Sequence, residues 1–206
     1  MVNKKSYSRA GQKNSLRIIA GTLRGSRLAF ASAEGLRPTG DRARETLFNW
    51  LAAELPGARC VDLFAGSGAL SIEALSRGAA SATAVELNGE ATALLRQEAR
   101  RLNAAGISVD RADVMAWLQS RPAAARAQFD IAFIDPPFGE QLHEEVCTAL
   151  EASALLVDGA AIYIESRWLD PPLALPQSWS LHRVRKLGEV RCALYYRDSN
   201  NSAKQF

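Results

Sequence analysis

The tetrapeptide Asp135-Pro136-Pro137-Phe138 directly follows a mostly apolar, β-prone run at residues 129–134. Proline lacks the N–H that a central strand requires, so the two prolines end the strand and fix the backbone of the loop. They hold a carboxylate and an aromatic ring together at the carboxyl end of the strand, where open α/β sheets bind their ligands. These residue types suit an enzyme that grips a flat nucleobase carrying an amino group.

The chemistry expected of this tetrapeptide is attack by an exocyclic base amine. The lone pair of such an amine is delocalised into the ring, which makes it a poor nucleophile. If the Asp135 carboxylate and the Pro136 carbonyl both accept from the NH₂ group, they stabilise the positive charge that grows on nitrogen. Phe138 is expected to stack on the base and align it, so that positioning supplies most of the rate. The base must leave its stack to enter such a pocket.

Three further acids stand at the ends of predicted strands. Asp62 opens a glycine-containing turn between a strand and a helix, Glu86 ends the next strand, and Asp113 follows the third. An acid in the turn suits a cationic amine, and an acid at the second strand suits ribose hydroxyls. We expect Asp113 to meet an adenine amino group and the Val114 N–H a ring nitrogen. An amine, a ribose and an adenine recognised in chain order describe S-adenosylmethionine.

The predicted cofactor site centres on the turn that follows Asp62. Its glycines let the backbone approach a ligand closely, and the helix behind it offers unpaired N–H groups. Ser71 stands where the dinucleotide fingerprint G-x-G-x-x-G requires its third glycine, and with Asp62 it disfavours a nicotinamide dehydrogenase. The predicted cofactor-binding residues are Asp62, Phe64, Ala65, Gly66, Ser67, Gly68, Glu86, Leu87, Asp113 and Val114.

The identity of the base follows from the acid that opens the tetrapeptide. Guanine presents two adjacent donors, N1–H and the N2 amine, and a carboxylate that only accepts can serve both. Adenine and cytosine place an acceptor beside the amine, where an asparagine would fit better. The sequence therefore favours guanine N2, although Asp-Pro-Pro motifs also occur in adenine-N6 enzymes.

Charge is distributed unevenly along the 206 residues. Residues 1–45 contain ten Lys or Arg against three acids, residues 46–180 nine against seventeen, and residues 181–206 six against two. An acidic catalytic body with basic ends predicts a polyanionic partner docked beside the body. The residues predicted to contact RNA are Arg24, Arg27, Arg37, Thr39, Arg42 and Arg44.

Other features argue against a membrane protein or a metalloprotein. No apolar run approaches the ~18 residues that a membrane span requires, and His143 and His182 lack metal-ligand spacing. The three cysteines are far apart, without C-x-x-C spacing, and are predicted to be buried thiols. We therefore expect a cytoplasmic monomer that uses no metal.

The predicted fold is α/β. From residue 58 strand and helix patterns alternate, which indicates a mainly parallel sheet with right-handed crossovers. The runs 180–186 and 190–197 predict a closing antiparallel hairpin, and the runs 16–20 and 27–30 predict another before the sheet. The predicted organisation is a disordered basic tail (1–15), a hairpin and RNA-binding extension (16–45), a catalytic domain (46–198) and a disordered tail (199–206).

Four blocks of sequence resemble those of a known family. They are Arg17–Gly25, Leu36–Leu51, Asp62–Gly68 and Asp135–Phe138, and the similarity runs from about Leu16 to Arg197. The chain resembles the RsmD-type 16S ribosomal RNA guanine-N2 methyltransferases. One departure is Ala20, which precedes Gly21 where family members often have a second glycine.

The resemblance implies a fold, a cofactor and a substrate. The fold is that of a class I S-adenosylmethionine-dependent methyltransferase, Rossmann-like, with a mostly parallel seven-stranded sheet and a C-terminal antiparallel hairpin. The implied substrate is one guanine of 16S rRNA, in the small ribosomal subunit or a late assembly intermediate.

Two alternatives stay open at this point. The first is a DNA adenine-N6 methyltransferase, which generally needs a sizeable target-recognition region, whereas only residues 113–134 separate the third and fourth strands. The second is a non-catalytic RNA-binding assembly factor that retains the fold. The intact tetrapeptide at Asp135 and the Gly66-Ser67-Gly68 turn argue against it.

Overall fold

The computed structural model describes residues 14–30, 40–121, 127–137 and 142–198. Its strands are β1 (Asn14–Arg17), β2 (Arg27–Phe30), β3 (Arg59–Asp62), β4 (Ser81–Glu86), β5 (Ile107–Arg111), β6 (Phe129–Ile134), β7 (Leu156–Arg167), β8 (Trp179–Leu187) and β9 (Val190–Arg197). Its helices are α1 (Asp41–Trp50), α2 (Ala69–Ser76), α3 (Gly89–Arg101), α4 (Val114–Gln119) and α5 (His143–Ala152). Strands β1 and β2 form a separate antiparallel pair.

The central sheet has seven strands in the order β5-β4-β3-β6-β7-β9-β8. Strands β3 to β7 pair in parallel, whereas β9 is antiparallel to both β7 and β8. This confirms the predicted mostly parallel sheet with a closing hairpin. The chain builds outward from β3 towards one edge and from β6 towards the other, so the strand order reverses between β3 and β6.

Helices cover both faces of this sheet. On one face α1 packs through Leu47, Phe48 and Leu51 in a cluster that includes residues of α2, and on the other face α4 and α5 pack against a second cluster. The central strands are buried from both sides, and residues 131–134 of β6 are fully buried. Burial on both faces explains why these strands have nearly continuous apolar sequences.

The N-terminal hairpin packs into the body of the fold. Ile18 and Leu28 are fully buried, and they share a core cluster with Ile72 of α2 and Leu95 of α3. The N–H of Ala29 also donates to the Glu98 carboxylate of α3 at 2.9 Å. The hairpin therefore shares its hydrophobic core with the helices that follow β3 and β4.

Glu73 of α2 fastens the hairpin to the rest of the chain. Its buried carboxylate accepts from the backbone N–H groups of Ile19 at 2.8 Å and Ala20 at 3.0 Å. It also pairs with Arg44 at 3.5 Å and with Arg77 at 2.7 Å. One carboxylate thus satisfies two backbone donors and two guanidinium groups that would otherwise be costly to bury.

Ser76 at the end of α2 holds the tip of the hairpin. Its carbonyl accepts from the Thr22 N–H at 2.7 Å, and its hydroxyl accepts from the Leu23 N–H at 2.9 Å. Gly21 has a φ of 80°, and a Cβ there would lie 1.8 Å from the Ser76 carbonyl oxygen. The backbones of the hairpin and of α2 therefore approach so closely that only glycine fits at position 21. The structure accommodates alanine at position 20, where family members often have a second glycine.

The predicted RNA contact at Arg44 is wrong. The Arg44 side chain is fully buried, and its Nη2 donates to Asp41 at 2.6 Å and to the Arg17 carbonyl at 2.9 Å. It cannot reach a phosphate from that position. Arg24, Arg27 and Arg42 are exposed, whereas Arg37 and Thr39 lie outside the described residues.

Two predicted boundaries differ from the observed elements. Helix α1 continues across the boundary drawn between residues 45 and 46, and β1 begins at Asn14, before the hairpin's predicted start at residue 16. The predicted tails at residues 1–13 and 199–206 lie outside the described residues.

In the described part of the chain, no helix is long and apolar enough to cross a bilayer, and no group of three or more His, Cys, Asp or Glu is placed to hold a metal. Cys60, Cys147 and Cys192 are buried and unpaired, as predicted. Burial raises the pKa of Cys60 and of Cys147 to about 12.

Replacing Glu73 by alanine should strongly destabilise the protein. Glu73→Ala leaves Arg44 buried without this partner and removes the acceptor for two backbone N–H groups, so we expect a loss of about 3–5 kcal/mol in the free energy of unfolding. Urea denaturation measures this loss. Glu45→Ala on the exposed side of α1 is the control and should change stability by no more than about 0.5 kcal/mol. Equal stabilities of the two variants would contradict the role of Glu73 in fastening the hairpin to the rest of the chain.

Candidate active site

The candidate active site lies where the strand order reverses. Asp62 is the last residue of β3, Asp135 directly follows β6, and these two strands are hydrogen-bonded neighbours. Helix α2 after β3 and helix α5 after β6 lie on opposite faces of the sheet. Such a reversal opens a crevice at the carboxyl ends of the strands, which is the ligand site of open α/β folds.

The turn between β3 and α2 depends on its two glycines. Gly66 and Gly68 have φ values of 50° and 75°. A Cβ at Gly68 would also lie 2.2 Å from a methyl of Leu95, so this position excludes larger residues. The turn therefore carries its backbone close to the crevice and leads directly into α2, which begins at Ala69.

The other residues of this turn are placed as follows. Phe64 is partly buried against the core cluster that includes α4 and α5. The N–H of Ala65 donates to the Val85 carbonyl at 2.9 Å, which ties the turn to β4. The Ser67 hydroxyl accepts from the Ala69 N–H at 3.3 Å, at the first residue of α2.

Glu86 shapes the turn as well as facing the crevice. Its Oε2 accepts from the Gly66 N–H at 2.7 Å, and its Oε1 accepts from the Asn88 N–H at 2.7 Å. Each carboxylate oxygen has a second lone pair, so acceptance from ribose hydroxyls is compatible with both bonds. Leu87 beside it is 64% exposed and offers an apolar surface there.

Asp113 and Val114 stand at the beginning of α4. The Asp113 carboxylate caps the helix by accepting from the Ala116 N–H at 2.9 Å. Val114 is the first residue of α4, where backbone N–H groups have no acceptor within the helix. Its side chain is buried in the core, so its backbone is the part available to a ligand.

Asp62 is the electrostatic centre of the crevice. Its side chain is buried, and the Ser71 hydroxyl donates to its Oδ2 at 2.8 Å. Burial, together with the charges of Asp135 and Glu86, raises the pKa of Asp62 to about 7 against the opposing effect of the Ser71 hydrogen bond. A buried acid beside two others is a partner for a cationic amine.

Two residues of this crevice are not among the predicted site residues. Ser71 is a departure from the dinucleotide fingerprint in the sequence, and its place in the first turn of α2 is a signal for contact with the turn. Glu165 near the end of β7 is buried and accepts from the Tyr163 hydroxyl at 2.7 Å. Ile134 of β6 pairs with Ile164 of β7, so Asp135 and Glu165 hold neighbouring positions at the carboxyl ends of these two strands.

The structure describes three residues of the tetrapeptide after β6, Asp135, Pro136 and Pro137. Asp135 is half-buried, Pro136 is buried and Pro137 is exposed. The strand ends at Ile134, as the prolines predict. Phe138 lies outside the described residues, so its predicted stacking role stays a prediction.

The strand order and the acids that line the crevice define a class I S-adenosylmethionine-dependent methyltransferase. The family described as "Conserved hypothetical protein 95" matches residues 16–196. The chain belongs to this family, which is the RsmD family. It is a methyltransferase, and its cofactor is S-adenosylmethionine.

Several relatives resemble the chain over most of its length. It is 41% identical over 202 residues to ribosomal RNA small subunit methyltransferase D of Escherichia coli K12, with 98% of each chain covered. The protein of the same name from Haemophilus influenzae is 39% identical over 188 residues, covering 89% of this chain and 94% of that one. The solved structure of the putative methyltransferase yhhF from Escherichia coli has a TM-score of 0.80 and 40% identity, covering 90% of this chain and 99% of that one.

The residues present fit the cofactor. The buried Asp62 carboxylate suits the cationic amine of its methionine part, and Glu86 suits the ribose hydroxyls. Gly66 and Gly68 give the turn its positive φ values, and Gly68 also leaves room for the side chain of Leu95. The contacts of Asp113 and of the first N–H of α4 with the adenine stay predictions.

Cofactor affinity should fall in acid. The carboxyl of Asp62 protonates as the pH falls through about 7 and then no longer pairs with the amine. Below that pH we expect the dissociation constant for S-adenosylmethionine to rise about tenfold per pH unit. Titration calorimetry between pH 8 and pH 6 measures this dependence. Asp62→Asn should bind weakly at every pH with a flat profile, and a flat profile for the unmodified protein would refute the assignment.

The same carboxyl should lower the stability of the cofactor-free protein at neutral pH. Its pKa is about 7 in the folded state and about 3.9 in the unfolded state. The folded state therefore binds more protons between these values, and stability falls as the pH rises through that window. Asp62→Asn should melt at a higher temperature than the unmodified protein at pH 8, with the difference shrinking at pH 5. A difference independent of pH would count against this account.

Proposed function

We propose that this enzyme transfers a methyl group from S-adenosylmethionine to the N2 amine of a guanine in 16S rRNA. The substrate is the RNA of a small ribosomal subunit or of a late assembly intermediate in the cytoplasm. The observation that carries the proposal is the position of Asp135, which directly follows β6 and acts electrostatically on Asp62 in the same crevice. An acceptor for the base amine and a site for the cofactor therefore adjoin each other.

The residues of the crevice have separate tasks in this reaction. S-adenosylmethionine supplies a methyl group on a positively charged sulfur. The Asp135 carboxylate and the Pro136 carbonyl accept from the guanine N2 amine and stabilise the charge that develops on nitrogen. The amine N–H becomes acidic only as the methyl group arrives, so a strong base is not required beforehand. The proline pair fixes both acceptors and contributes through positioning.

The RNA is bound by basic side chains beside the crevice. Arg24, Arg27 and Arg42 are exposed on the hairpin and on α1. Contacts of this kind with phosphates position the RNA without reading its sequence, and they make affinity sensitive to salt. The target nucleotide is an exposed one, because sequence-specific proteins reach RNA bases mostly in unstacked positions.

The relatives favour ribosomal RNA over the two alternatives. Proteins named ribosomal RNA small subunit methyltransferase D from several bacteria match nearly the whole chain. A DNA adenine-N6 methyltransferase and a non-catalytic assembly factor have no comparable support. Assays of the protein on small subunits and on duplex DNA, with labelled cofactor, distinguish the three functions directly.

Removing the Asp135 carboxylate should slow methyl transfer far more than it changes cofactor binding. We expect Asp135→Ala to lower kcat about 10²–10³-fold, which is the usual effect of losing one stabilising group in a transition state. The readout is mass-spectrometric mapping of methylguanosine in 16S rRNA from cells that lack the gene, after incubation of their small subunits with each variant.

Asp130→Ala on the same strand is the matched control. Asp130 pairs with Arg59 near the amino end of β6, away from the crevice. This variant should retain its methylation activity. Activity of Asp135→Ala at the level of the unmodified protein would refute the catalytic assignment, and absence of 16S methylation by the unmodified protein would refute the function itself.

A further inference from the structure

Strand β8 at the edge of the sheet is exposed on both faces. Its buried residue is Trp179 at the start, and the seven residues 180–186 are all exposed. Strand β9 pairs with one side of β8, and within the described part of the chain no strand pairs with the other. An edge strand of nine residues that packs so little of its surface has most of its side chains available to a partner.

The exposed part of β8 is basic. Arg183, Arg185 and Lys186 lie within it, and no acid occurs between residues 179 and 187. Arg183 and Arg185 pair with Leu194 and Cys192 of β9, so they point to the same face of the sheet. Neither arginine has an ion-pair partner among the described residues. Lys186 is the next residue along the strand, so it points to the opposite face. We call Arg183, Arg185 and Lys186 the basic edge.

The register of the sheet places the basic edge level with the catalytic acid. Arg185 pairs with Cys192, and Cys192 pairs with Glu165, which follows Ile164 on β7 as Asp135 follows its partner Ile134 on β6. One residue earlier, Ile134 of β6 connects through β7 and β9 to Val184 of β8. Three strand spacings of ~4.8 Å therefore separate Ile134 from Val184, a distance of about 14 Å. The N-terminal hairpin packs on α2 and α3, towards the other edge of the sheet.

An aromatic side chain lies beside Lys186, on the face of the sheet opposite Arg183 and Arg185. Trp168 directly follows β7 at the carboxyl end of the sheet, and its ring lies 5.3 Å from Lys186 Nζ and 5.3 Å from the Arg191 guanidinium. Arg191 also donates to the Trp168 carbonyl at 3.0 Å. Cations beside an aromatic ring are the groups that bind phosphates and stack on bases in single-stranded nucleic acids.

We propose that the basic edge binds the phosphates of the RNA segment that flanks the target nucleotide. The crevice then lies between two RNA-binding surfaces, the hairpin on one side and β8 on the other. This inference rests on the proposed function, because it assumes that the substrate is RNA. Charged residues on an edge strand also prevent pairing between protein molecules. That role explains exposed charge of either sign, but not an all-positive set in which Lys186 lies beside Trp168 and Arg185 lies level with Asp135.

The test removes two charges from β8 and compares the result with an equal loss elsewhere. The test variant is Arg183→Gln/Arg185→Gln. Its control, Arg96→Gln/Arg100→Gln, changes two exposed arginines of α3, at the edge of the sheet far from β8. Affinities for small ribosomal subunits and for naked 16S rRNA are measured across a potassium chloride series, together with KM for subunits and affinity for S-adenosylmethionine.

We expect the β8 variant to raise KM about tenfold and to weaken binding to both RNA probes. The slope of log affinity against log salt should fall by about 1.4, because each lost phosphate contact contributes about 0.7 for single strands. Cofactor affinity and the melting temperature should stay unchanged, and the α3 control should retain its KM and its slope.

Three results would overturn the proposal. The first is a β8 variant whose KM and salt slope are unchanged. A variant that aggregates but binds RNA as before belongs to this outcome, because the charges then serve only to prevent pairing between protein molecules. The second is weaker binding to subunits with undiminished binding to naked rRNA, which would identify a ribosomal protein as the partner. The third is an equal loss in the α3 control, which would reduce the effect to net charge. Failure of the unmodified enzyme to methylate 16S rRNA is a separate result that refutes the proposed function.

Discussion

Repulsion among buried carboxylates is the constraint on which the crevice depends. Asp62, Glu86 and Asp135 converge where the strand order reverses, and burial with the two neighbouring charges raises the pKa of Asp62 to about 7. Two backbone N–H groups compensate Glu86, and one hydroxyl compensates Asp62. A cationic ligand offsets the remaining repulsion. The fold therefore holds an anionic site in which a bound cationic ligand stabilises the ionised form of Asp62.

Buried carboxylates have a second use in this molecule, because they anchor backbone that no strand satisfies. Glu73 accepts from two N–H groups of the hairpin, Glu98 accepts from a third, and Glu86 fixes the turn at Gly66. All three are buried. The acidic excess of residues 46–180 is thus partly internal, and it does not translate directly into a negative surface. A count of charges along the sequence overstates the field that an RNA would meet.

Local patterns were sufficient to predict the sheet and the four acids at its strand ends. Alternation of apolar runs with helical ones locates strand ends to within a few residues, and Asp62, Glu86, Asp113 and Asp135 follow from that placement. The errors concern contacts between distant parts of the chain. Arg44 is buried because Glu73 and the Arg17 carbonyl, 29 and 27 residues away, receive its guanidinium. Nothing in the local sequence around Arg44 distinguishes it from exposed Arg42.

Helix α2 is short, and both of its ends are engaged. Its eight residues span about 12 Å. The first turn contains Ser71, which donates to Asp62, and later turns contain Glu73 and Ser76, which hold the hairpin. A displacement of the hairpin therefore displaces the hydroxyl that steadies the carboxylate. If RNA at the hairpin and S-adenosylmethionine at Asp62 are coupled through α2, each must by reciprocity change the affinity of the other by the same factor.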